Sequence, residues 1–153
     1  MRQILKGGNV ILVVEDEEND AILMRRAVDR IGQGLKAYFV PDGEEAIAYL
    51  SGTGKFADRQ LHPTPGVVLL DLKLPRRSGL DVLDWIRRDS TFKLLPVIAL
   101  SASGITEQVN EVYRRGANAF MVKPVDIGAL QGLMETIGTY LARTELPDPP
   151  KNR

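Results

Sequence analysis

The sequence predicts a doubly wound α/β sandwich, in which helices cover both faces of a parallel β-sheet. Five short apolar segments recur along the chain, and segments with apolar residues at helical spacing lie between them. The apolar segments are continuous rather than alternating, which is typical of strands buried on both faces. In chain order they are Val10–Val14, Leu35–Val40, Val67–Leu70, Pro96–Leu100 and Ala119–Val122, of which Leu35–Val40 is the weakest.

Capping residues and a helix-ending glycine support the prediction that the segments between these strands are helices. Asp42, Ser78 and Asp126 precede helical segments, and side chains of these types accept hydrogen bonds from the first turn of a helix. Gly116 follows the fourth helical segment, where glycine often ends a helix. The order is therefore strand then helix, five times over, with right-handed crossovers. The predicted helices are Asn19–Ile31, Gly43–Leu50, a segment after Ser78, Thr106–Arg115 and a segment after Asp126.

Length, charge and composition limit the class of protein. The chain has 153 residues, which fits one domain, expected over residues 9–144. Twenty basic residues balance twenty acidic ones, so no overall basic field draws the protein to nucleic acid or to an anionic membrane. There is no cysteine for disulfide or thiolate chemistry, and no apolar run is long enough to span a bilayer. We therefore expect a cytoplasmic protein with neither nucleic acid nor membrane as a partner.

Two stretches lie outside the strand and helix pattern. Ser51–Pro65 contains two glycines and two prolines and is expected to form a long surface loop, with His62 exposed to solvent. Residues 145–153 contain three prolines and are expected to form a flexible C-terminal tail.

Acidic residues follow two of the predicted strands directly. Glu15, Asp16 and Glu17 come after the first strand, and Asp71 comes after the third. If these strands are neighbours at a topological switch point, their carboxyl ends open onto one cleft, where ligands bind in this class of fold. Clustered carboxylates repel unless a cation is present, and Mg²⁺ suits such a site when phosphate oxygens also bind there. The alternative is a solvated acidic rim, which is as common for any one of these residues alone.

A hydroxyl side chain follows the fourth predicted strand, and an ammonium side chain follows the fifth. Ser101 comes after the fourth strand and Lys123 after the fifth, so both are expected at the same edge of the sheet. Opposite a carboxylate cluster, Lys123 can offset the charge of an incoming phosphoryl group, and Ser101 can donate a hydrogen bond to it. Taken singly, Ser101 is as well explained as a helix cap and Lys123 as a member of a surface ion pair.

Four motifs carry these residues: Val-Val-Glu-Asp-Glu (13–17), Leu-Leu-Asp-Leu-Lys-Leu-Pro (69–75) followed by Ser78-Gly79-Leu80, Leu-Ser-Ala (100–102), and Gly-Ala-Asn-Ala-Phe-Met-Val-Lys-Pro (116–124). Together they resemble the motifs of the receiver domains of bacterial response regulators, over about Asn9 to Ala142. The resemblance implies a flavodoxin-like (βα)5 sandwich with a five-stranded parallel sheet in the order 2-1-3-4-5. It also implies a phosphoacceptor signalling domain of a two-component phosphorelay rather than a conventional enzyme.

The resemblance implies a role for each residue of the expected cleft. Asp71 is the phosphoacceptor and takes its phosphoryl group from a sensor histidine kinase. Asp16 and Asp71 are side-chain ligands of Mg²⁺ (or Mn²⁺), and the backbone carbonyl of Lys73 is a third ligand. Glu15 stands where the family often has aspartate, and acts through a metal-bound water. Lys123 matches the lysine that stabilises the charge of the phosphoryl group.

The resemblance also implies a conformational switch. Ser101 and Phe120 match a hydroxyl and aromatic pair that reports phosphorylation on the face made by the fourth helix, fifth strand and fifth helix. In the family the bond between Lys123 and Pro124 is cis, although only about 5–6% of X–Pro bonds in folded proteins are cis.

Partners are expected on the same grounds. The segment 89–103 and the lack of an output domain in this sequence resemble stand-alone regulators paired with phytochromes, so the kinase is expected to be a bacteriophytochrome, with a phosphotransfer protein as a further downstream partner. The last helix is apolar near its end, which predicts a homodimer through the switch face. The alternative is that these apolar residues close the domain's own core. They are Ile137, Tyr140 and Leu141.

Three other functions are compatible with parts of the same pattern. An aspartate-nucleophile phosphatase needs a second acid two residues after the nucleophile, where this chain has Lys73. A flavodoxin-like cofactor binder needs a phosphate-binding loop after the first strand, where Glu15–Glu18 would repel phosphate. A phosphorylation-independent interaction domain with the same fold usually lacks one of the site residues, whereas every position is filled here.

Overall fold

Five parallel strands form one sheet whose order differs from their order in the chain. The computed structural model describes residues 10–32, 34–102 and 104–148. The strands are β1 Val10–Val14, β2 Lys36–Val40, β3 Val67–Asp71, β4 Val97–Ser101 and β5 Ala119–Val122. The sheet order is β2-β1-β3-β4-β5. The predicted fold class and strand order are therefore confirmed, and β1 and β3 are neighbours.

Five α-helices alternate with the strands, and three of them begin at the predicted caps. The carboxylate of Asp42 accepts from the backbone N–H of Glu45 at 2.8 Å, and that of Asp126 accepts from the N–H of Ala129 at 3.1 Å. Ser78 caps α3 in the same way. These side chains satisfy N–H groups that have no partner within the helix. The helices are α1 Glu18–Ile31, α2 Gly43–Ser51, α3 Gly79–Arg88, α4 Thr106–Arg114 and α5 Ile127–Arg143, with a short 3₁₀ helix at Gly54–Phe56.

The sheet separates two hydrophobic clusters. Helices α2, α3 and α4 cover one face, and α1 and α5 cover the other. Successive side chains of a strand point to opposite faces, so Leu12 and Val14 join the first cluster, whereas Ile11 and Val13 join the second. Every residue of β1, β3 and β4 is buried, which explains why their apolar runs are continuous.

The connection between α2 and β3 is anchored to the domain. The guanidinium of Arg59 donates to the carbonyls of Tyr49 and Leu50, at 2.8 and 2.7 Å. The ring of His62 lies edge-on to those of Tyr49 and Phe56, with centroids 5.8 and 5.2 Å apart. His62 is half-buried, so the prediction that it is exposed to solvent is wrong. The rings of Tyr49 on α2 and Phe56 on the 3₁₀ helix give its imidazole a packing site, although its Nδ1 is buried there with no hydrogen-bond partner among the described residues.

The end of α5 belongs to the core more than to the surface. Ile137 and Leu141 are each 1% exposed and pack in the second cluster, because α5 lies against α1. Tyr140 is 40% exposed. For Ile137 and Leu141 the alternative interpretation is therefore the right one. Leu146 packs against the same cluster, and the part of the expected tail from residue 149 onward lies outside the described residues. Within the described residues, no helix is both long enough and apolar enough to cross a membrane.

Candidate functional site

The carboxyl ends of β1 and β3 bring three carboxylates together. The strands pair with Val14 beside Leu70, so the residues that follow them are neighbours. One carboxylate oxygen from each of Glu15, Asp16 and Asp71 lies within 4.8 Å of the others. Glu15 and Asp71 are buried, whereas Asp16 is exposed. The structure thus assembles the predicted acidic cluster, with one member open to solvent.

Backbone contacts fix the direction of the two buried carboxylates. Asp71 accepts a hydrogen bond from the N–H of Lys73 at 2.9 Å, and Glu15 accepts one from the N–H of Glu17 at 3.0 Å. The start of α3 packs closely against the backbone of Asp71, since a Cβ added to Gly79 would lie 2.5 Å from the Asp71 carbonyl oxygen. Glycine at this position lets the helix begin directly against the end of β3.

Lys123 reaches into the cluster from the end of β5. Its ammonium lies 2.5 Å from Glu15, 2.8 Å from Asp20 and 3.1 Å from Asp71. The predicted proximity of Lys123 to the acidic cluster is therefore observed. Asp20 was missed from the sequence. The only signal for it is that it stands in the first turn of the helix that follows the acidic run.

Burial and charge act in opposite directions on this cluster. Burial raises the pKa of Glu15 to about 7, assisted by the negative charge of Asp71, although hydrogen bonds from Lys123 and from the Glu17 N–H oppose the shift. Burial alone would lower the pKa of Lys123. Hydrogen bonds to Asp20 and Glu15, together with the charges of Glu15 and Asp71, outweigh that effect and raise the Lys123 pKa above its usual value. Lys123 therefore stays protonated at neutral pH, beside a cluster made of carboxylates.

The predicted switch pair lies beside this cluster on β4 and β5. Ser101 is 1% exposed, and its hydroxyl is 3.5 Å from the side-chain oxygen of Gln108 on α4. Phe120 is half-buried against the first hydrophobic cluster, and its N–H donates to the hydroxyl of Tyr113 at 3.1 Å. Both residues of the pair thus contact α4, which links the site to the surface.

The bond between Lys123 and Pro124 is trans. None of the peptide bonds among the described residues is cis, so the predicted cis bond is wrong for this structure. The trans isomer of an X–Pro bond is favoured by about 0.5–1 kcal/mol. Lys123 meets its three carboxylate partners from the trans bond, and its N–H donates to the carbonyl of Ser101 at 2.7 Å.

The face made by α4, β5 and α5 is only partly apolar at its surface. Val112 is fully buried and belongs to the core. On these elements Tyr113 is 48% exposed, Val122 53%, Ile127 65% and Tyr140 40%. The exposed apolar area is thus spread over separate side chains rather than concentrated at the end of α5.

The donor set of the acidic cluster fits a hard divalent cation. All of the side-chain donors are carboxylate oxygens, and Mg²⁺ and Mn²⁺ prefer oxygen ligands. The solvent-exposed position of Asp16 provides a route by which a hydrated ion can enter. The ammonium of Lys123 balances only part of the negative charge.

Comparison with known proteins gives consistent matches. The family model of the response regulator receiver domain matches residues 11–135. The phosphorylated cyanobacterial phytochrome response regulator RcpA is 30% identical, with a TM-score of 0.84 over 92% of this chain and 99% of RcpA. RPA3017, a response regulator in red light signalling of R. palustris, is 35% identical, with a TM-score of 0.82 over 90% of this chain and 97% of RPA3017.

A third similar structure contains a metal ion. The Mn²⁺-bound form of the response regulator Rcp1 is 29% identical, with a TM-score of 0.80 over 90% of this chain and 98% of Rcp1. Rcp1 is a protein of Synechocystis sp..

Proposed function

Because the chain belongs to the response regulator receiver domain family of two-component systems, we propose that it accepts a phosphoryl group from a sensor histidine kinase on Asp71. The placement of Asp71 is the observation that carries this proposal. Its carboxylate is buried at the end of a central strand, 3.1 Å from the ammonium of Lys123 and beside two further carboxylates. A nucleophile, a charge-stabilising cation and an acidic metal cluster therefore share one cleft.

The reaction depends on Mg²⁺ or Mn²⁺ in this proposal. The side chains of Asp16 and Asp71 and the carbonyl of Lys73 would hold the cation, and Glu15 would contact it through water. When bound, the cation supplies positive charge that offsets the charge of the transferring phosphoryl group. The carboxylate cluster supports this arrangement because its oxygens already converge.

Each residue of the cleft has a distinct task in phosphoryl transfer. A carboxylate oxygen of Asp71 attacks the phosphorus of the kinase phosphohistidine. The new P–O bond forms as the P–N bond breaks, and the P–N electron pair stays with the imidazole nitrogen. Lys123 stabilises charge on the phosphoryl oxygens, and Ser101 donates a hydrogen bond to one of them. Attack of water on phosphorus later releases phosphate and restores the carboxylate. Because the acyl phosphate on Asp71 is itself the signal, we class the domain as a phosphoacceptor rather than a conventional enzyme.

Phosphorylation is proposed to be read out on the face made by α4, β5 and α5. The phosphoryl group would draw the Ser101 hydroxyl inward, and Phe120 would turn into the space that opens. The contact of the Ser101 hydroxyl with Gln108 supports this, because a shift of that hydroxyl reaches α4 directly. The backbone N–H of Phe120 donates to Tyr113 on the same helix, so the strand that carries the ring is also joined to α4. We propose a homodimer through the same face, with Tyr140 among its exposed apolar residues.

The expected partners follow from the relatives. RcpA is a phytochrome response regulator and RPA3017 acts in red light signalling, which supports a bacteriophytochrome as the kinase of this chain. A phosphotransfer protein is proposed as a downstream partner, and the cytoplasm as the location. In this proposal residues 9–144 form the receiver domain and residues 145–153 a C-terminal tail.

Incubation with acetyl phosphate followed by intact-mass measurement tests the function. The wild type should gain one phosphoryl group in the presence of Mg²⁺ and none in EDTA. Asp71→Asn should gain none, because an amide is not a useful nucleophile. Asp81→Asn is a matched control, since Asp81 is an exposed acid in the first turn of α3.

Two results would contradict the proposal. A mass gain in Asp71→Asn equal to that of the wild type would place the phosphorylated residue elsewhere. A wild type that stays unmodified with Mg²⁺ would instead favour an interaction domain that works without phosphorylation.

A further inference from the structure

Asp20 is the third partner of the Lys123 ammonium. An ammonium group has three N–H donors, and the carboxylates of Glu15, Asp20 and Asp71 lie 2.5–3.1 Å from that of Lys123. Those of Glu15 and Asp71 accept hydrogen bonds from it, and that of Asp20 forms an ion pair with it. The ion pair with Asp20 is 2.8 Å long, which lies between the Lys123 distances to Glu15 and Asp71.

The three partners differ in what else they must do. In the proposed function, Asp71 carries the phosphoryl group and Glu15 turns to a water on the cation. Asp20 is not a member of the carboxylate cluster that converges among the described residues. Its contact with Lys123 therefore competes neither with the cation nor with the phosphoryl group.

Asp20 is also held by a rigid element. It lies in the first turn of α1, whose start is capped by the side chain of Glu17 through the N–H of Asn19 at 3.1 Å. The buried face of α1, at Met24 and Val28, packs in the second cluster. Lys123, by contrast, extends on a flexible four-carbon stem. The fixed partner of this pair is thus Asp20.

We propose that Asp20 is a positioning residue, which keeps the Lys123 ammonium beside the phosphoryl group once Glu15 and Asp71 are engaged elsewhere. This inference rests on the proposed function, since it concerns the same site. It assigns to α1 a part in phosphoryl transfer that does not require direct contact with the reacting atoms.

The reactivity of Lys123 towards an amine reagent tests the positioning directly. The full chain is labelled with N-hydroxysuccinimidyl acetate in saturating Mg²⁺ or in EDTA, and acetylation of Lys123 is followed by peptide mass spectrometry. In Mg²⁺, Asp20→Ala should raise the labelling rate about tenfold, because the ammonium then loses the one carboxylate partner that is not engaged elsewhere. In EDTA the rise should be smaller, because Glu15 and Asp71 still hold the ammonium.

Matched variants separate positioning from a general charge effect. Asp29→Ala removes the same charge from an exposed position about two and a half turns further along α1, and should leave Lys123 labelling unchanged. Asp20→Glu keeps the carboxylate and should restore part of the protection.

The rate of phosphorylation by acetyl phosphate gives a second readout. At saturating Mg²⁺, Asp20→Ala should slow the reaction about tenfold in the wild-type background. It should cause no further slowing in Lys123→Met, because Asp20 acts through the lysine.

The labelling and rate measurements can each overturn the inference. Equal Lys123 labelling of wild type and Asp20→Ala in Mg²⁺, or an equal rise with and without Mg²⁺, would remove the special place of Asp20. Independent slowing in the Lys123→Met background would do the same. If the wild type gained no phosphoryl group, the proposed function would fail, while the labelling result would still decide whether Asp20 holds Lys123.

Discussion

Replacing Gly79 by alanine should destabilise the domain at the phosphoacceptor strand. The new Cβ would lie 2.5 Å from the carbonyl oxygen of Asp71 and 2.7 Å from the Cα of Leu72. Real Cβ atoms essentially never approach closer than 3.0 Å, and both neighbours are backbone atoms that cannot rotate away. Such overpacking costs about 1–3 kcal/mol, and the higher helix propensity of alanine recovers at most about 1 kcal/mol. Taking the middle of the overpacking range, about 2 kcal/mol, less up to about 1 kcal/mol, we expect a net loss of about 1–2 kcal/mol.

Urea unfolding measures this loss against a control on another helix. With a slope of about 2 kcal/mol per M, the midpoint for Gly79→Ala should fall by about 0.5–1 M. Gly132→Ala places a Cβ on α5 with no atom within 4 Å, so its stability should stay the same or rise by up to about 1 kcal/mol. A Gly79→Ala protein as stable as the wild type would show that the start of α3 does not press on the end of β3.

Asp16→Ala should weaken Mg²⁺ binding at least about tenfold in a calorimetric titration, because it removes an expected carboxylate ligand. Its stability in EDTA should be unchanged or higher, because repulsion within the cluster falls, and an unchanged Mg²⁺ affinity would rule out the ligand assignment. Tyr140→Glu should dissociate the proposed homodimer in light scattering, because it places a charge in the contact. A wild type that remains monomeric at high micromolar concentration, with and without beryllofluoride and Mg²⁺, would end the homodimer proposal.

The strands and helix starts were predictable from local sequence. Continuous apolar runs such as Val10–Val14 could only be buried on both faces, and the structure buries every residue of that run. Asp42 and Asp126 could be assigned as caps because a carboxylate before an apolar-periodic segment has few other partners. The approach of Glu15 to Asp71 followed from the strand order that the resemblance implies, since the carboxyl ends of adjacent parallel strands lie together at one edge of the sheet.

Contacts made by helix surfaces and loops were not predictable in this way. In the sequence, Asp20 is indistinguishable from any acidic residue in the first turn of a helix. Its ion pair with Lys123 is seen only in the structure. The residues next to His62 in the sequence do not predict that its ring packs against Tyr49 and Phe56, which are 13 and six positions earlier in the chain. Ile137 and Leu141 looked available because the position of α5 over α1 is set by tertiary packing rather than by helical periodicity.

The anchoring of the long connection by Arg59 has a consequence for protease digestion. Trypsin cleaves after arginine and lysine, and Lys55 and Arg59 both lie in this connection. Arg59 holds the last carbonyls of α2, so the segment around it cannot enter a protease cleft in an extended form while those bonds persist. At Lys55 the side chain is exposed, but the next residue, Phe56, is buried in the first cluster and holds the backbone there. The rate of tryptic cleavage at Lys55 and Arg59 should therefore report how often the C-terminal end of α2 opens locally in the native state. A segment that resembles a free loop in the sequence thus becomes a probe of local unfolding.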